Sequence, residues 1–565
     1  MLSLRIFRSP QAKYYEDDIL TGPEAYPEEY FAQVVQNGFN AVWLRGILRD
    51  LASTTVFPEL GQDVTRHQDA LALVVERAKT YGVSVLLYLN EPLCLPREHP
   101  FWAAHPEVLG DSGSSGMDEW PETYAFCTST AQVRAWLREI TANLFRVVPE
   151  LAGWFLISAS EHHTHCYSHC YGGRIPSCPR CAARQRIDVV ADLIGDLRDG
   201  TRAASPSAHC IAWNWSWADC VEPDPQPQLL ARLPKDVIVL ADWERGGRRT
   251  MPDGRENFID EYSLSYVGPS ERFMALHDAA TQQGLATMVK LQVGTTHELA
   301  TVPNLPLVDH LYEKLCKAEA LGVAGMLATW NFGNAFSLNT AAVAQFIDDP
   351  QRPAPEEFVA RLAAHYFPGA NAGAVACAIS QFSAAMAYYP FDMSLLYYGP
   401  SNYALVYPLT LEPLQGKSMS WSWMMHPRGD KMSEATGQFS IEEIIHYFSL
   451  LIPAWEQGII LLETALAGCQ HPHKTEELGV ARVIGCCYRS SLNAFRTYLL
   501  RRDRPADMAE QFQLILSDEI ANIETALPLV TTDARLGFHA ECQGYQFNAE
   551  MLREKLAEMK ERFAV

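Results

Sequence analysis

The sequence WFLISASEHHTHCYSHCYGGRIPSCPRC, residues 154–181, carries the strongest indication of both the fold and the chemistry. Residues 154–159 form an apolar run with the length and composition of a buried strand. Ser160 and Glu161 follow, and four histidines and four cysteines then share one loop. Barrel enzymes present catalytic groups at the carboxyl ends of their strands. The stretch therefore predicts that Glu161 is catalytic; the alternative is a surface glutamate beside a structural metal-binding loop.

Short apolar strands alternate with amphipathic helices on both sides of this stretch, through roughly the first 340 residues. We expect strands at residues 4–7, 41–44, 83–89, 154–159, 210–213, 237–241, 287–293 and 323–328. Eight strand–helix units match an α/β fold of the (β/α)8 (TIM) barrel type, with a doubly wound sheet as the alternative. Polar and aromatic residues at the strand ends favour the barrel, because a ring of active-site loops needs them.

The chain beyond the strand–helix units has a different pattern, which is mainly helical. A charged, proline-rich turn at 348–353 predicts a domain boundary. We assign residues 1–345 to a catalytic barrel and residues 346–565 to a mainly α-helical domain. Helices are expected at 355–366, 370–388, 441–467, 478–501, 504–526 and 545–563. A long aromatic loop, about 389–438, interrupts them, and its Trp421 and Trp423 are expected to cover the pocket.

The composition of the chain limits the classes of partner that we expect it to bind. The 565 residues include 45 basic and 67 acidic side chains, a formal net charge of −22, which argues against binding to nucleic acid or to an anionic membrane. No signal peptide and no run approaching eighteen apolar residues is evident, so no membrane partner is expected. Most of the 14 cysteines are scattered in apolar surroundings, which predicts reduced thiols and a cytoplasmic protein. A homo-oligomer is compatible with this composition.

Several carboxylates follow predicted strands. Hydrolysis of a glycosidic bond needs a carboxylic acid to protonate the leaving oxygen and a second carboxylate as nucleophile or base. Glu161, flanked by His162, is the candidate acid. Asp242 and Glu244 end strand six and Glu298 follows strand seven; each is a candidate partner, or alternatively a loop-bracing acceptor. Glu298 would give a retaining pair from strands four and seven, whereas Asp242 or Glu244 would suit a wider gap and inversion.

Aromatic and amide side chains at strand ends suit a sugar, which offers C–H faces for stacking and hydroxyls for hydrogen bonds. The candidate substrate-binding residues are Asn90, Glu91, His162, Trp213, Trp243, Trp330 and Asn331. The alternative for the tryptophans is packing between strands and helices. No phosphate-binding glycine loop and no GxSxG motif is present, which argues against a nucleotide site and an esterase.

The cysteine set Cys166-x3-Cys170-x7-Cys178-x2-Cys181 offers four thiolate ligands in one loop. It fits a tetrahedral structural zinc, with disulfides or free thiols as alternatives. Since four sulfurs would fill the coordination sphere, such a zinc would hold the loop and take no part in hydrolysis. We therefore expect no cofactor for catalysis.

These features together resemble the glycosidases related to glycoside hydrolase family 20, which include β-N-acetylhexosaminidases. The resemblance rests on Glu161 after a strand, the CPRC end of the cysteine loop, TWNFG at 329–333 and a helical domain after the barrel. It implies hydrolysis of a terminal β-linked N-acetylhexosamine, GlcNAc or GalNAc, with Glu161 as general acid. The family places an aspartate immediately before that glutamate; here the position is Ser160, so Asp242, Glu244 or Glu298 would have to take its role.

Other functions fit the same residues. An inverting glycosidase of the α-glucuronidase kind would use basic side chains, of which Arg45 after strand two is the strand-end candidate. A non-catalytic carbohydrate-binding module and a hydrolytic metalloenzyme are the alternatives from other classes.

Overall fold

The structure is a computed structural model that describes residues 2–61, 63–114, 122–160, 162–414, 418–421 and 429–563. Glu161, the expected acid, and Trp423, expected over the pocket, lie outside the described residues.

Eight parallel strands close into a barrel in the order β1-β8-β7-β6-β5-β4-β3-β2. They are β1 Leu4–Phe7, β2 Ala41–Gly46, β3 Ser84–Leu89, β4 Gly153–Ile157, β5 His209–Trp213, β6 Val237–Asp242, β7 Thr287–Lys290 and β8 Gly325–Leu327. The closed order confirms the (β/α)8 barrel and excludes the doubly wound sheet.

A helix follows each strand and packs outside the barrel. The helices are α1 Glu28–Gln36, α2 Val64–Thr80, α3 Ala131–Val147, α4 Arg186–Ala204, α5 Pro227–Arg232, α6 Glu271–Gln282, α7 Val308–Ala320 and α8 Leu338–Asp348. Thr130 begins α3 by accepting a hydrogen bond from the backbone N–H of Val133. Gly82 follows α2 with a φ of 67°, a left-handed conformation that turns the chain into β3 at little cost. Local sequence thus sets where these helices begin and end.

Strand side chains alternate between the barrel interior and the helix layer. Trp43, Tyr88, Phe155, Trp213 and Leu240 pack together inside the barrel. Their chain neighbours, such as those at 42, 87, 156, 212 and 239, belong to the core between strands and helices. We call the carboxyl ends of the strands the barrel mouth. Residues that follow the strands there continue the same alternation of side chains.

The chain after the barrel is mainly helical, as expected. Its helices are α9 Pro355–Tyr366, α10 Ala372–Met386, α11 Met393–Tyr398, α12 Ile441–Ala465, α13 His473–Asp503, α14 Met508–Thr532 and α15 Ala549–Phe563. Helix α8 runs across residue 345 and ends at Asp348. We therefore propose that the domain boundary lies in the connection 349–354, which overlaps the proline-rich turn at 348–353 and follows the division at residue 345.

The described residues of the aromatic segment 389–438, where a long loop was expected, include α11 and the 3-10 turns Ser401–Val406 and Met432–Ala435. The segment meets a β-hairpin, Gly247–Thr250 and Glu256–Ile259, that follows β6. The Asn257 side chain donates to the Phe391 carbonyl at 2.6 Å. The helical domain therefore borders the barrel mouth on the side of β6.

Helix α12 is the one helix in the described part of the chain that is long and apolar enough to cross a membrane by length and composition. Phe448, Leu451 and Trp455 on this helix are buried, and the Trp455 indole N–H donates to the Ala481 carbonyl in α13 at 2.8 Å. A core helix meets the same length and composition criteria.

Candidate active site

An aromatic floor lies at the barrel mouth around Trp330, which follows β8 and remains partly exposed. Its ring centroid lies 5.2 Å from that of Trp43 in a stacked arrangement. Trp213 and Tyr88 present ring edges to it, with centroids at 5.2 and 5.1 Å. A flat aromatic surface in a concave site offers apolar contact to a ligand of matching shape. Trp213 and Trp330, expected as substrate-binding residues, are thus brought together.

Polar groups surround this floor. The Asn90 amide donates to the Tyr88 hydroxyl at 2.9 Å, and its Oδ1 is buried with no hydrogen-bond partner among the described residues. Nε2 of His162 lies 3.1 Å from the Tyr14 hydroxyl, and burial lowers the pKa of His162 well below its usual range. His162 is therefore neutral near pH 7. Asn90 and His162 remain candidates for contacts with substrate hydroxyl or amide groups.

Asp242 ends β6 at the barrel mouth. Its Oδ1 accepts a hydrogen bond from the Trp213 indole N–H at 3.1 Å, and its Oδ2 pairs with Arg245 Nη1 at 3.2 Å. The Arg245 guanidinium also lies 4.4 Å over the Trp215 ring. The carboxylate is therefore held in a fixed orientation among aromatic side chains.

Glu261 is a second mouth carboxylate that the sequence reasoning missed. Its Oε2 accepts from the Tyr397 hydroxyl at 2.7 Å and its Oε1 from the Tyr262 backbone N–H at 3.0 Å. Burial raises the pKa of Glu261, against the lowering effect of Arg245. Burial lowers the pKa of Arg245 while the charges of Asp242 and Glu261 raise it, and the net shift is upward. One cation thus serves both carboxylates.

Lys290 in β7 adds a buried amine close by. Its side chain is fully buried, hydrogen-bonds the Gln292 amide and lies 4.6 Å over the Tyr262 ring. Burial lowers the pKa of Lys290 to about 7, although Glu244, Asp242 and Glu261 act in the opposite direction. The amine therefore changes charge near neutral pH.

Glu244, expected as a candidate partner of Glu161, is bound behind the barrel mouth. It pairs with Lys314 of α7 at 2.7 Å, and both side chains are fully buried. Burial raises the pKa of Glu244 to about 7, against the lowering effect of Lys314. The pair joins the end of β6 to a helix of the outer layer, which is the loop-bracing alternative.

Glu298 is likewise held by donors on all sides. Its Oε1 accepts from the hydroxyls of Ser263 and Ser265 at 2.7 and 2.5 Å, and its Oε2 from the Thr296 hydroxyl at 3.1 Å. The side chain is fully buried. These contacts brace the segment 263–265, so Glu298 also matches the structural alternative.

Glu91 and Trp243 face away from the mouth. The oxygens of Glu91 accept from the backbone N–H groups of Leu48 and Leu93 at 2.7 and 3.2 Å; burial raises its pKa to about 7. The Trp243 indole N–H donates to the Val267 carbonyl at 2.8 Å, and its ring packs on Phe273 of α6 at 5.1 Å. Each comes one residue after a side chain on the inner face, Asn90 or Asp242. Because side chains alternate along a strand, Glu91 and Trp243 point away from the aromatic floor.

Asn331 lies beside the helical domain, and Trp421 belongs to that domain. The Asn331 amide donates to Glu541 at 3.3 Å, while its Oδ1 is buried and has no partner in the ranges that the structure describes. Trp421 packs on the rings of Tyr397 and Tyr398 at 5.6 and 5.5 Å and is 36% exposed. Since Tyr397 binds Glu261, Trp421 belongs to the outer border of the mouth.

A separate cluster of thiols could hold a metal ion. The Sγ atoms of Cys127, Cys166, Cys178 and Cys181 all lie within 4.8 Å of one another, and all four residues are buried. Cys170, expected as a ligand, is not in this group, since its Sγ donates to the Cys166 carbonyl at 3.3 Å. Cys127 takes its place, although it lies far from the loop in sequence.

Comparisons with known proteins show a similarity of fold. No protein-family model and no curated protein matches the sequence. A solved GH138 enzyme targeting pectin rhamnogalacturonan II aligns with 99% of this chain and 84% of its own, at 11% identity and a TM-score of 0.55. The two proteins share a fold.

Two further solved glycoside hydrolases are similar at lower scores. An O-GlcNAc hydrolase of Thermobaculum terrenum covers 100% of this chain and 95% of its own at 12% identity, with a TM-score of 0.39. A chitobiase of Flavobacterium johnsoniae covers 99% of this chain and 78% of its own at 11% identity, with a TM-score of 0.37. These scores add nothing to the shared fold.

Proposed function

We propose that this protein is a glycoside hydrolase whose reaction takes place at the barrel mouth, with Glu161 as general acid and Asp242 as the second carboxylate. The observation that carries the proposal is the setting of Asp242 between the Trp213 indole and Arg245, beside the aromatic floor of Trp330. Glu244 and Glu298 are less suitable partners, because structural contacts occupy them.

The role of Glu161 rests on its position in the sequence, between the described residues Ser160 and His162 after β4. Both neighbours are buried. The Ser160 carbonyl accepts from the Tyr171 hydroxyl at 2.9 Å, and His162 contacts Tyr14. The chain on either side of Glu161 is thus anchored near the mouth, which supports its assignment as the acid.

In the proposed reaction Glu161 gives its proton to the glycosidic oxygen as the bond to the anomeric carbon breaks. Asp242 either attacks that carbon or takes a proton from the water that does. Arg245 compensates the charge of Asp242 and holds its oxygens in place. Product stereochemistry distinguishes the two routes, since retention needs carboxyl groups about 5.5 Å apart and inversion about 6.5–9.5 Å.

We propose a terminal β-linked N-acetylhexosamine as the substrate. The resemblance to family 20 glycosidases supports this choice, as do buried amide oxygens at strand ends that could accept from substrate N–H or O–H groups. These acceptors, which have no hydrogen-bond partner in the described part of the chain, belong to Asn90, Asn214 and Asn331.

A second candidate substrate is an acidic sugar such as a glucuronide. Arg45 favours it, because this partly buried residue lies on the inner face of β2 and its guanidinium lies 4.8 Å over the ring of Tyr14. Tyr14 in turn contacts both His162 and Trp330. A carboxylate on the sugar could pair with Arg45 there.

The test is hydrolysis of aryl glycosides (β-GlcNAc, β-GalNAc, β-glucoside, β-galactoside and α-glucuronide) by the wild type, Glu161→Gln and Glu150→Gln. Glu150 is an exposed carboxylate paired with Lys79 and serves as the matched control. We expect cleavage of an N-acetylated substrate, with kcat in Glu161→Gln lower by about 10²–10⁴-fold. Glu150→Gln should match the wild type.

Other outcomes assign other functions. Unchanged turnover in Glu161→Gln would reject it as the acid. Preference for the α-glucuronide would favour the acidic sugar. Binding of a glycan, with no hydrolysis of either short or long substrates, would favour the carbohydrate-binding module.

A further inference from the structure

The four converging cysteines have the spacing of ligands around one ion. Sγ of Cys127 lies 3.5 Å from that of Cys178 and 3.7 Å from that of Cys181. Four sulfurs placed tetrahedrally around zinc, with Zn–S near 2.3 Å, lie about 3.8 Å from one another. A disulfide would bring two sulfurs to about 2.05 Å. All four cysteines carry free thiols here, so their separation fits joint coordination.

We propose that Cys127, Cys166, Cys178 and Cys181 bind one structural zinc ion. Soft thiolate ligands select zinc over magnesium or calcium. Four sulfurs fill a tetrahedral sphere and leave no position for water or substrate. The ion therefore stabilises the fold around it and takes no part in hydrolysis.

The groups around the thiols are hydrogen-bond donors, which suit a zinc site with four negatively charged thiolates. Four thiolates around one Zn²⁺ carry a net negative charge. The Arg180 guanidinium donates to Cys127 Sγ at 3.2 Å and reduces that charge. The Ser129 hydroxyl lies 3.2 Å from Cys181 Sγ. Such outer hydrogen bonds orient the ligands of metal sites.

The ligands come from two neighbouring loops at the barrel mouth. Cys127 directly follows the strand Glu122–Phe126 in the connection after β3. The other three lie in the loop after β4, which also contains Glu161. Arg174 and Asp111 join the same two loops by an ion pair at 2.5 Å. Zinc would thus tie the segment that contains the proposed acid to its neighbour, a consequence that depends on the proposed function.

The first experiment measures zinc in the full-length protein, purified without chelators, by elemental mass spectrometry. We expect one zinc per chain, released when a mercurial reagent blocks the thiols. A purified chain with no zinc, whether its thiols are oxidised or freely reactive, would overturn the proposal.

A matched pair of variants tests the ligand set. Cys127→Ser should lose most of the bound zinc, whereas Cys170→Ser should keep one zinc per chain, because Cys170 lies outside the cluster. Retention of zinc in Cys127→Ser with loss in Cys170→Ser would overturn the assignment of Cys127.

Should Cys127→Ser fail to fold, the wild type still provides a test. The protein refolded with Co²⁺ should show the intense visible and sulfur-to-cobalt absorption of a tetrahedral four-thiolate site. Weak absorption typical of oxygen or nitrogen ligands would contradict the proposal. Zinc content and the cobalt spectrum need no substrate, so their failure is distinguishable from failure of the proposed glycosidase activity.

Discussion

The barrel mouth and the layer of loops and helices behind it both contain carboxylates near strand ends, yet the partners of these carboxylates differ. At the mouth, Asp242 and Glu261 meet Arg245 and aromatic side chains. Behind it, Glu244 meets a lysine of α7 and Glu298 meets hydroxyl groups of a neighbouring loop. Donors occupy both oxygens of Glu298, and a buried lysine pairs with Oε1 of Glu244, so we assign both carboxylates to structural roles. A carboxylate that is oriented by an arginine beside an aromatic surface is placed for a ligand.

Strand alternation explains how neighbours in sequence enter different regions. Leu240 faces the barrel interior, and Asp242 continues that face. Trp243, one residue later, continues the outer face and packs on α6. The same rule separates Asn90 at the mouth from Glu91 behind it.

The largest effect that separates the two regions is expected from Asp242→Asn. If Asp242 is the second carboxylate, kcat should fall by about 10²–10⁴-fold, because the amide can neither attack nor accept a proton. Asparagine keeps one of the two acceptor oxygens, so either Arg245 or the Trp213 indole N–H loses its present partner. We expect some loss of stability with the fold retained. Steady-state kinetics and circular dichroism measure the two properties. Unchanged kcat would move the second carboxylate to another residue, with Glu261 the next to test.

Lys314→Met should destabilise the protein without changing its chemistry. It leaves Glu244 buried and unpaired, which costs about 3–5 kcal/mol of unfolding free energy. The control is Lys317→Met, an exposed lysine of the same helix, which should change stability little. Denaturant unfolding measures both.

The loss of unfolding free energy in Lys314→Met should also depend on pH. The pKa of Glu244 is raised to about 7 in the folded wild type, so its ionisation lowers stability as pH rises from about 4.5 to 7 and has no further effect above that. Without Lys314 the folded pKa is higher still, so the variant should continue to lose stability above pH 7. A deficit that stays constant from pH 6 to 9 would contradict this reading.

Glu298→Gln should cost about 1.5–3 kcal/mol of unfolding free energy, since it removes hydrogen bonds to a charged acceptor. Because Glu298 lies behind the mouth, kcat per folded molecule should remain unchanged. Thermal unfolding and active-site-normalised kinetics give the two values. A fall in kcat as large as that of Asp242→Asn would place Glu298 back among the catalytic candidates.

The smallest effects are expected from two tryptophans. Trp330→Phe should weaken substrate binding by about 1 kcal/mol, roughly a fivefold rise in KM, through loss of stacking area. Trp243→Phe should leave KM unchanged and lose about 1 kcal/mol of stability with its indole hydrogen bond to Val267. Reversal of these two outcomes would reverse the positions that we assign to the two residues.

Most of the fold could be predicted from the sequence, because apolar runs and helix ends are local features. Strands β1 and β6 begin at the expected residues, Leu4 and Val237. Strand β7 ends at Lys290, earlier than expected. Leu291 and Val293 extend the apolar run beyond the strand, but they pack in the outer core.

The site was less accessible to sequence reasoning. Asp242, Trp213 and Trp330 could be named because they follow strands. Glu261 lies beyond a hairpin and Tyr397 in the second domain, so only tertiary structure brings them to the mouth. Cys127 follows an inserted strand and reads as a core cysteine; its meeting with Cys166, Cys178 and Cys181 has no signal in local spacing.

The contact between Gln543 and the first loop of the barrel has a consequence for synthesis on the ribosome. The Gln543 amide donates to the carbonyls of Pro10 and Ala12 at 3.1 Å. That loop leads to Tyr14, whose ring borders Trp330 and whose hydroxyl meets His162. A nascent chain could close its barrel once β8 has emerged, yet the support for Tyr14 is translated some two hundred residues later. We therefore expect a nascent chain with a closed barrel to lack this support for Tyr14 until residue 543 has been translated.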